Sequence, residues 1–462
     1  MSVTEIREGT YGGKVVAVEP GGAEFVPADE RHGRPLALLW TWTSPNMEFA
    51  TIFVGVISVL YFEQTFGQAV AAIVVGTGLG SVTHGVLSSR GPRTGVPQMV
   101  LSRIAFGFRG NALPAGLNAV IAGIGWFAVN SVSGALALTV LTAMPAWLSL
   151  LIIVVVQVGV AFFGHNLVHV FERCVLPLLV VAFLLATVFT FAAATPGAVA
   201  DNAGGVGGFL LTVGASFGYA AGWNPYATDY TRYLPTSTSP RATGIFAGLG
   251  IFVSCTLLEI VGAASATIAT TEENPTAAFT SHLPGFVAGL TLLAIAVGAV
   301  SANVINVYSG SMSFLALGVE LPLNLRRAIV AGAFGVLGFV LALFGLSDAG
   351  HAYESFLLII AYWIGPWLGV YLTDWFLRRR VPDAELAPLL YDRHYTPWGG
   401  AVAMGVGMVV SIVLFCNQSM YVGVVPSVLP GIGDLTFEVG FVLSAVLHAL
   451  FSRRARAVLP TG

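Results

Sequence analysis

The chain has 462 residues, of which 56% are hydrophobic and 9% charged, with a mean hydropathy of +0.83 and a formal net charge of -3. A soluble domain carries roughly 25% charged residues, so this composition excludes an ordinary water-soluble enzyme. The apolar runs are continuous rather than alternating, which excludes a transmembrane β-barrel and leaves an all-α integral membrane protein.

Residues 1–34 are polar and of mixed charge, and read as a cytoplasmic tail. The first hydrophobic segment is therefore expected to stay in place as a helix rather than be removed as a signal. From there the sequence predicts twelve spans, at about 36–62, 66–88, 112–142, 146–165, 168–193, 208–233, 243–268, 285–317, 328–346, 353–377, 398–416 and 435–452. Each approaches or exceeds the length needed to cross a bilayer. The transporter domain is read as 35–452 and a second cytoplasmic tail as 453–462.

The 20 Lys and Arg residues fall before span 1, after the even-numbered spans, or at the start of span 5 (Arg173). They include Arg7, Lys14, Arg90, Arg103, Arg232, Arg326, Arg327, Arg378 and Arg453. The opposite loops carry acids, such as Asp201, Glu272, Glu273 and Asp434. The positive-inside rule then places both termini in the cytoplasm. Cys174, Cys255 and Cys416 lie in or beside hydrophobic segments without metal spacing and read as packing residues.

Two spans are interrupted. Span 1 contains WTWTSPNME (40–48), with Pro45, Asn46 and Glu48 inside the run. Span 6 contains GYAAGWNPYATDY (218–230), broken by Gly222 and Pro225. Broken backbone must line a cavity or pack on protein, because lipid cannot satisfy it. Matched breaks predict an inverted-repeat transporter with its site at the breaks. Repeat one would cover about 36–193, repeat two about 208–377, and helices 11–12 (about 398–452) would be an addition.

Polar groups then mark the site. In GIGWFAVN (123–130), Trp126 and Asn130 are four apart and share a helix face. A flat ring beside an amide suits a planar heteroaromatic ligand. In SANVINVY (301–308), Asn303 and Asn306 also share a face, on the span that the repeat scheme matches to span 3. Glu48 is costly at membrane depth unless protonated, paired or hydrated, and a carboxyl that alternates between states can couple to a cation. Glu259 in span 7 is a lesser candidate. Asp229 and Arg232 are expected to pair at a helix end, and Glu172 with Arg173 at the interface. His84, His165, His169 and His448 lie near span ends, without a metal pair. GTGLG (76–80) reads as helix packing rather than a phosphate loop. No catalytic triad, cofactor motif or nucleic-acid signature is present.

The segments GYAAGWNPYATDYTRYLP (218–235), GIGWFAVN (123–130), SANVINVYS (301–309) and AYWIGPWLGVYLTDWFLRRR (361–380) resemble the cytosine/purine permeases of the nucleobase–cation symport-1 family. The resemblance covers about 36–452 and implies a twelve-helix LeuT-type fold, a 5+5 inverted repeat with helices 1 and 6 unwound and two further C-terminal helices. It implies symport of a nucleobase with H+ or Na+ across the cell membrane. By position it implies that Trp126 stacks on the base against an aromatic of span 6, with Phe217, Tyr219 and Trp223 all open. Asn130 and Asn303, with Asn306 next, would bond the ring edge, and Asn46 and Glu48 would serve cation coupling. Sodium-coupled relatives carry hydroxyl residues where Val297 and Gly298 stand here, and these offer no oxygen to a hard cation. The expectation is therefore an importer of cytosine or a purine driven by protons, with span 10 (Tyr362 to Trp375) as a gate. The alternatives are a same-fold transporter of allantoin, a hydantoin or a vitamin-like pyrimidine, and a non-transporting nucleobase sensor or channel.

Overall fold

The computed structural model describes residues 22–163, 165–197, 204–319, 326–346, 349–418 and 420–458. Arg7, Lys14, Asp201 and residues 459–462 lie outside it, as do the side chains of His165, His169, Arg326, Arg327, Arg453, Arg454 and Arg456.

Every predicted span is helical. Span 1 is Ala37–Thr43, a 3-10 turn Ser44–Asn46, and Phe49–Leu60, and its halves are bent by 60°. Span 2 is Phe66–Ser88, and span 3 runs from Ala112–Leu117 through a π-helical stretch, Asn118–Gly125, into Trp126–Thr142. Spans 4 and 5 are Ala146–Phe163 and His165–Ala193. Span 6 is Gly205–Ala221, a 3-10 turn Asn224–Tyr226, and Ala227–Thr231. Spans 7 to 12 are Pro240–Ser265, Gly285–Ala316, Arg326–Gly345, Ala349–Leu377, Gly399–Phe415 and Thr436–Val458. Seven of these are long and apolar enough to cross a membrane alone, and the bent span 1 makes eight. Spans 4, 9, 11 and 12 contribute shorter apolar stretches. Among the described residues the only strands are a two-residue ladder, Asn417–Gln418 with Tyr421–Val422.

The packing repeats with a shift of five spans. Span 1 packs on span 7 and span 6 on span 2; span 3 packs on span 9 and span 8 on span 4. Spans 2 and 7 meet each other, as do spans 3 and 8. Small residues permit the closest crossings. A β-carbon on Gly76 of the GTGLG stretch would lie 2.4 Å from the Val213 carbonyl oxygen, so spans 2 and 6 touch backbone to backbone. The expectation of a packing role for GTGLG holds.

The arginines on the N-terminal side are more than topology signals. Arg90 reaches Asp383 and the Tyr371 hydroxyl, both at 3.1 Å, and Arg103 donates to the carbonyls of Leu390 (2.9 Å) and Ala316 (2.7 Å). Arg232 is fully buried and donates to the carbonyl oxygens of Gly22 (2.9 Å) and Glu24 (3.3 Å). The segment 22–34 is thereby folded against this end of the bundle. Val26 N–H donates to the Gly95 carbonyl at 2.9 Å, and the Tyr391 hydroxyl to the Ala23 carbonyl at 2.8 Å.

Candidate functional site

The break in span 1 follows from Pro45, which lacks the N–H a continuing helix needs. After the 3-10 turn the chain extends at Glu48 (φ -149°, ψ 173°), which is the N-cap of Phe49–Leu60. The Glu48 side chain makes no capping bond. It is buried, its Oε1 accepts from the Tyr219 hydroxyl at 3.1 Å, and its Oε2 has no partner among the described residues. The same Tyr219 hydroxyl lies 2.5 Å from Thr51 Oγ1. Asn46 donates to the Trp42 carbonyl at 2.6 Å and accepts from Trp223 Nε1 at 2.8 Å.

Span 6 breaks after Gly222, where the backbone must pass close to span 3. A β-carbon there would stand 3.1 Å from Trp126 Nε1. Trp126 packs edge-on against Tyr219, with ring centroids 5.3 Å apart, and against Phe356 at 5.1 Å. The two breaks and the Trp126 ring therefore share one locus, joined by the Trp223–Asn46 and Tyr219–Glu48 bonds.

The three asparagines form a chain of amides. Asn130 Nδ2 and Asn306 Nδ2 both donate to Asn303 Oδ1, at 3.1 and 3.2 Å. Asn303 Nδ2 faces the Phe127 carbonyl (2.9 Å), Gln157 Oε1 (2.9 Å) and Ser131 Oγ (3.2 Å). Asn303 is thus engaged by protein at both ends. The Oδ1 atoms of Asn130 and Asn306 are buried without partners among the described residues. A buried carbonyl left unpaired costs about 1–3 kcal/mol, so both oxygens have an unmet demand for a donor.

Of the span 6 aromatics, Tyr219 is at the locus beside Trp126, and Trp223 adjoins it through Asn46. Phe217 is not brought there. Its ring stacks on Phe437 of span 12 at 4.2 Å and 13°. Other expectations change. Glu172 is buried and accepts from Ser301 Oγ at 2.6 Å, while Arg173 is exposed, so the two do not form an interfacial pair. Asp229 and Arg232 stay in contact as expected at this helix end, Arg232 Nε donating to the Asp229 carbonyl at 3.3 Å, while Asp229 Oδ1 also accepts from the Gln98 N–H at 2.9 Å and Arg232 Nη1 reaches the Gly22 carbonyl at 2.9 Å. His84 is wholly buried, with its ring 4.3 Å from Trp42. Glu259 accepts from Thr77 Oγ1 at 2.9 Å, linking spans 7 and 2. Sequence reasoning missed Gln157, whose Nε2 donates to Ser131 at 2.7 Å; a lone Gln in the apolar run LIIVVVQVGV was the available signal.

A cavity of about 750 Å³ opens on the side away from the N-terminal segment, reaching down to Phe49, Ala50, Gly125 and Ala128. Tyr353 and Phe356 of span 10 line it and stand between it and Trp126. The Tyr353 hydroxyl donates to the Ala50 carbonyl at 2.7 Å, closing span 10 onto the start of the second half of span 1. On span 10 the contacts with span 1 and with the Trp126 ring are thus made by Tyr353 and Phe356. The stretch from Tyr362 to Trp375 is anchored elsewhere, with Tyr362 on Asp434 and Trp367 on Ser102. Among the described residues no group of His, Cys, Asp and Glu is arranged to hold a metal ion.

The fold matches Mhp1, a nucleobase-cation-symport-1 family transporter with the LeuT architecture, in its closed form with bromovinylhydantoin bound. The TM-score is 0.72, over 96% of this chain and 97% of that one, at 20% identity. The inward-facing form of Mhp1 matches with a TM-score of 0.71 over 98% and 96%, also at 20% identity. In sequence the chain is 29% identical to a putative purine-cytosine permease of Bacillus subtilis (93% of this chain, 95% of that protein). It is 28% identical to a purine-cytosine permease of Emericella nidulans (93% and 87%). A vitamin B6 transporter of Saccharomyces cerevisiae is 25% identical over 70% of this chain and 59% of its own length. The family model described as permease for cytosine/purines, uracil, thiamine, allantoin matches residues 25–440. The chain is therefore a multi-pass membrane transporter, and it belongs to this permease family.

Proposed function

We propose that this transporter imports a nucleobase, cytosine or a purine, by proton symport across the cytoplasmic membrane, with both termini in the cytoplasm. The observation that supports this best is the Trp126 ring against the break of span 6, one helical turn from Asn130, whose amide oxygen has no partner among the described residues and which Asn303 links to the likewise unpartnered oxygen of Asn306. A flat ring stacks on Trp126, and its N–H groups meet the amide oxygens. Tyr219 supplies the facing aromatic. Asn303 acts as the hub that orients Asn130 and Asn306.

Proton coupling is assigned to Glu48, which sits between the two breaks on the Tyr219 hydroxyl. Gly298 faces Glu48 directly, a β-carbon there meeting Glu48 Cβ at 3.1 Å, so span 8 offers no side-chain oxygen at that point. Entry would pass the Tyr353–Phe356 contacts from the outer cavity, and exit would require the N-terminal side to open by rocking of one helix group against the other.

The test is uptake of radiolabelled cytosine and hypoxanthine into proteoliposomes under a pH gradient or a sodium gradient, with Glu48→Gln in parallel. Accumulation driven by the pH gradient and lost in the variant supports the reading. Accumulation driven only by sodium removes the proton assignment. The vitamin B6 transporter among the relatives makes a vitamin-like ring the second reading. Uptake of pyridoxine and not of either base would favour it.

A further inference from the structure

The break in span 1 is flanked by a second buried carboxyl that faces the other way. Glu172 projects from span 5 and is 1% exposed. Its Oε2 accepts from Ser301 Oγ of span 8 at 2.6 Å. Ser301 Oγ lies 3.4 Å from Ser44 Oγ, the first residue of the 3-10 turn in span 1. Ser44 also reaches the Glu172 carbonyl at 3.4 Å. Glu172 Oε1 is buried with no hydrogen-bond partner among the described residues. Spans 1 and 8 thus present only hydroxyls to this carboxyl, and span 6 brings the Tyr230 phenol near it. No Arg, Lys or His among the described residues bonds to it.

We propose that Glu172 is a second coupling carboxyl, whose protonation state governs the docking of the first half of span 1 on spans 5 and 8. The proposal rests on the proton-symport reading above. Its basis is a conflict of costs. Glue between helices needs only hydroxyls or amides, whereas a membrane-buried carboxyl with one bare oxygen is costly when charged and marks function by default. The arrangement also joins the parts that must move. Ser44 is two residues from Asn46 and four from Glu48, and Ser301 is two residues from the Asn303 hub. A rotation that draws span 1 off span 8 separates Ser44 from Ser301 and admits water to Glu172. The chemistry is proton transfer alone: with the seam open, the carboxylate takes a proton from water on the N-terminal side or returns one to it, and when span 1 docks, water is excluded and the carboxyl is held in its neutral form against the Ser301 hydroxyl.

The test compares wild type, Glu172→Gln and Ser301→Ala in proteoliposomes, using radiolabelled cytosine or whichever base the wild type takes up. Two readouts are needed: counterflow exchange without a gradient, and accumulation driven by a pH gradient. The Gln variant keeps an oxygen for Ser301. It is expected to lose accumulation by about tenfold or more, the scale of an ordinary coupling free energy, while counterflow persists with a flatter pH profile. Ser301→Ala is expected to shift the pH profile of counterflow. If Glu172→Gln does not fold, the Ser301→Ala profile decides alone. Wild-type accumulation and an unchanged pH profile in both variants would overturn the proposal and leave the proton reading intact. Accumulation by wild type under sodium only would overturn both.

Discussion

A β-carbon placed on Gly298 would stand 2.5 Å from the Met47 carbonyl oxygen and 3.1 Å from Glu48 Cβ. Span 8 is therefore in backbone contact with the break of span 1, and the carboxyl is held there by the absence of a side chain opposite. Gly298→Ala must displace backbone rather than a flexible side-chain tip. It is expected to cost about 1–3 kcal/mol through overpacking and to impair pH-driven accumulation more than substrate binding. Thermal unfolding with and without substrate, beside uptake, checks this.

On the proposed reading, the amide chain separates structure from recognition. Asn303→Ala strands Asn130 Nδ2, Asn306 Nδ2 and Gln157 Oε1, each a buried orphan worth about 1–3 kcal/mol. It should lower the unfolding temperature with or without substrate. Asn130→Ala removes an unpartnered oxygen and one donor, so it should weaken binding with a smaller loss of stability. A KM or Kd series set against Tm for the two variants distinguishes them. Equal effects on both quantities would argue against the hub assignment.

Trp126→Phe should keep a ring against the substrate, whereas Trp126→Ala should remove it. Stacking of a base on an aromatic side chain is worth about 1–3 kcal/mol, so the Ala variant should bind at least about fivefold more weakly. Phe217→Ala should instead destabilise the contact between spans 6 and 12 without changing relative substrate preference. Competition binding with a panel of bases reads both.

Asp434, in the connection before span 12, is pushed above the ordinary carboxylate range by burial, and the hydrogen bonds it accepts only partly offset this. It accepts from the Asn417 N–H and the Thr436 N–H, both at 2.8 Å. The folded protein holds this proton more tightly than the unfolded chain. Its contribution to stability is therefore fully present below the ordinary carboxylate range and is lost as pH rises through the raised value. Asp434→Asn should flatten that part of the stability–pH curve, measured by thermal unfolding in detergent across the weakly acidic range.

Arg232 anchors the N-terminal segment through two backbone carbonyls and a 3.3 Å bond to the Tyr308 hydroxyl. Arg232→Ala should release residues 22–34 and speed their proteolytic cleavage severalfold. The same variant should raise labelling of cysteines introduced on the N-terminal side. Unchanged cleavage and labelling would show that the segment holds without it.

Some of this was legible one residue at a time. Composition and run length determined twelve helices in a membrane, because lipid admits no unpaired backbone. Pro45, Gly222 and Pro225 marked the two breaks, because a missing N–H or a missing Cβ acts locally wherever the chain goes. The Trp126–Asn130 and Asn303–Asn306 pairs were visible because helical spacing places them on one face. Which partners those faces meet was not a local property. Phe217 and Tyr219 are two residues apart on one helix and so point about 200° apart; only packing decided that the first meets Phe437 and the second meets Trp126. Glu172 looked like an interfacial partner for its neighbour Arg173, yet adjacent helical residues diverge, and the fold carries one to Ser301 and the other outward. The sequence by itself determined the helices, their breaks and the polar residues they carry. The tertiary structure decided which of those residues converge, because contacts between spans depend on rotation about each helix axis, and packing against neighbouring helices sets that rotation.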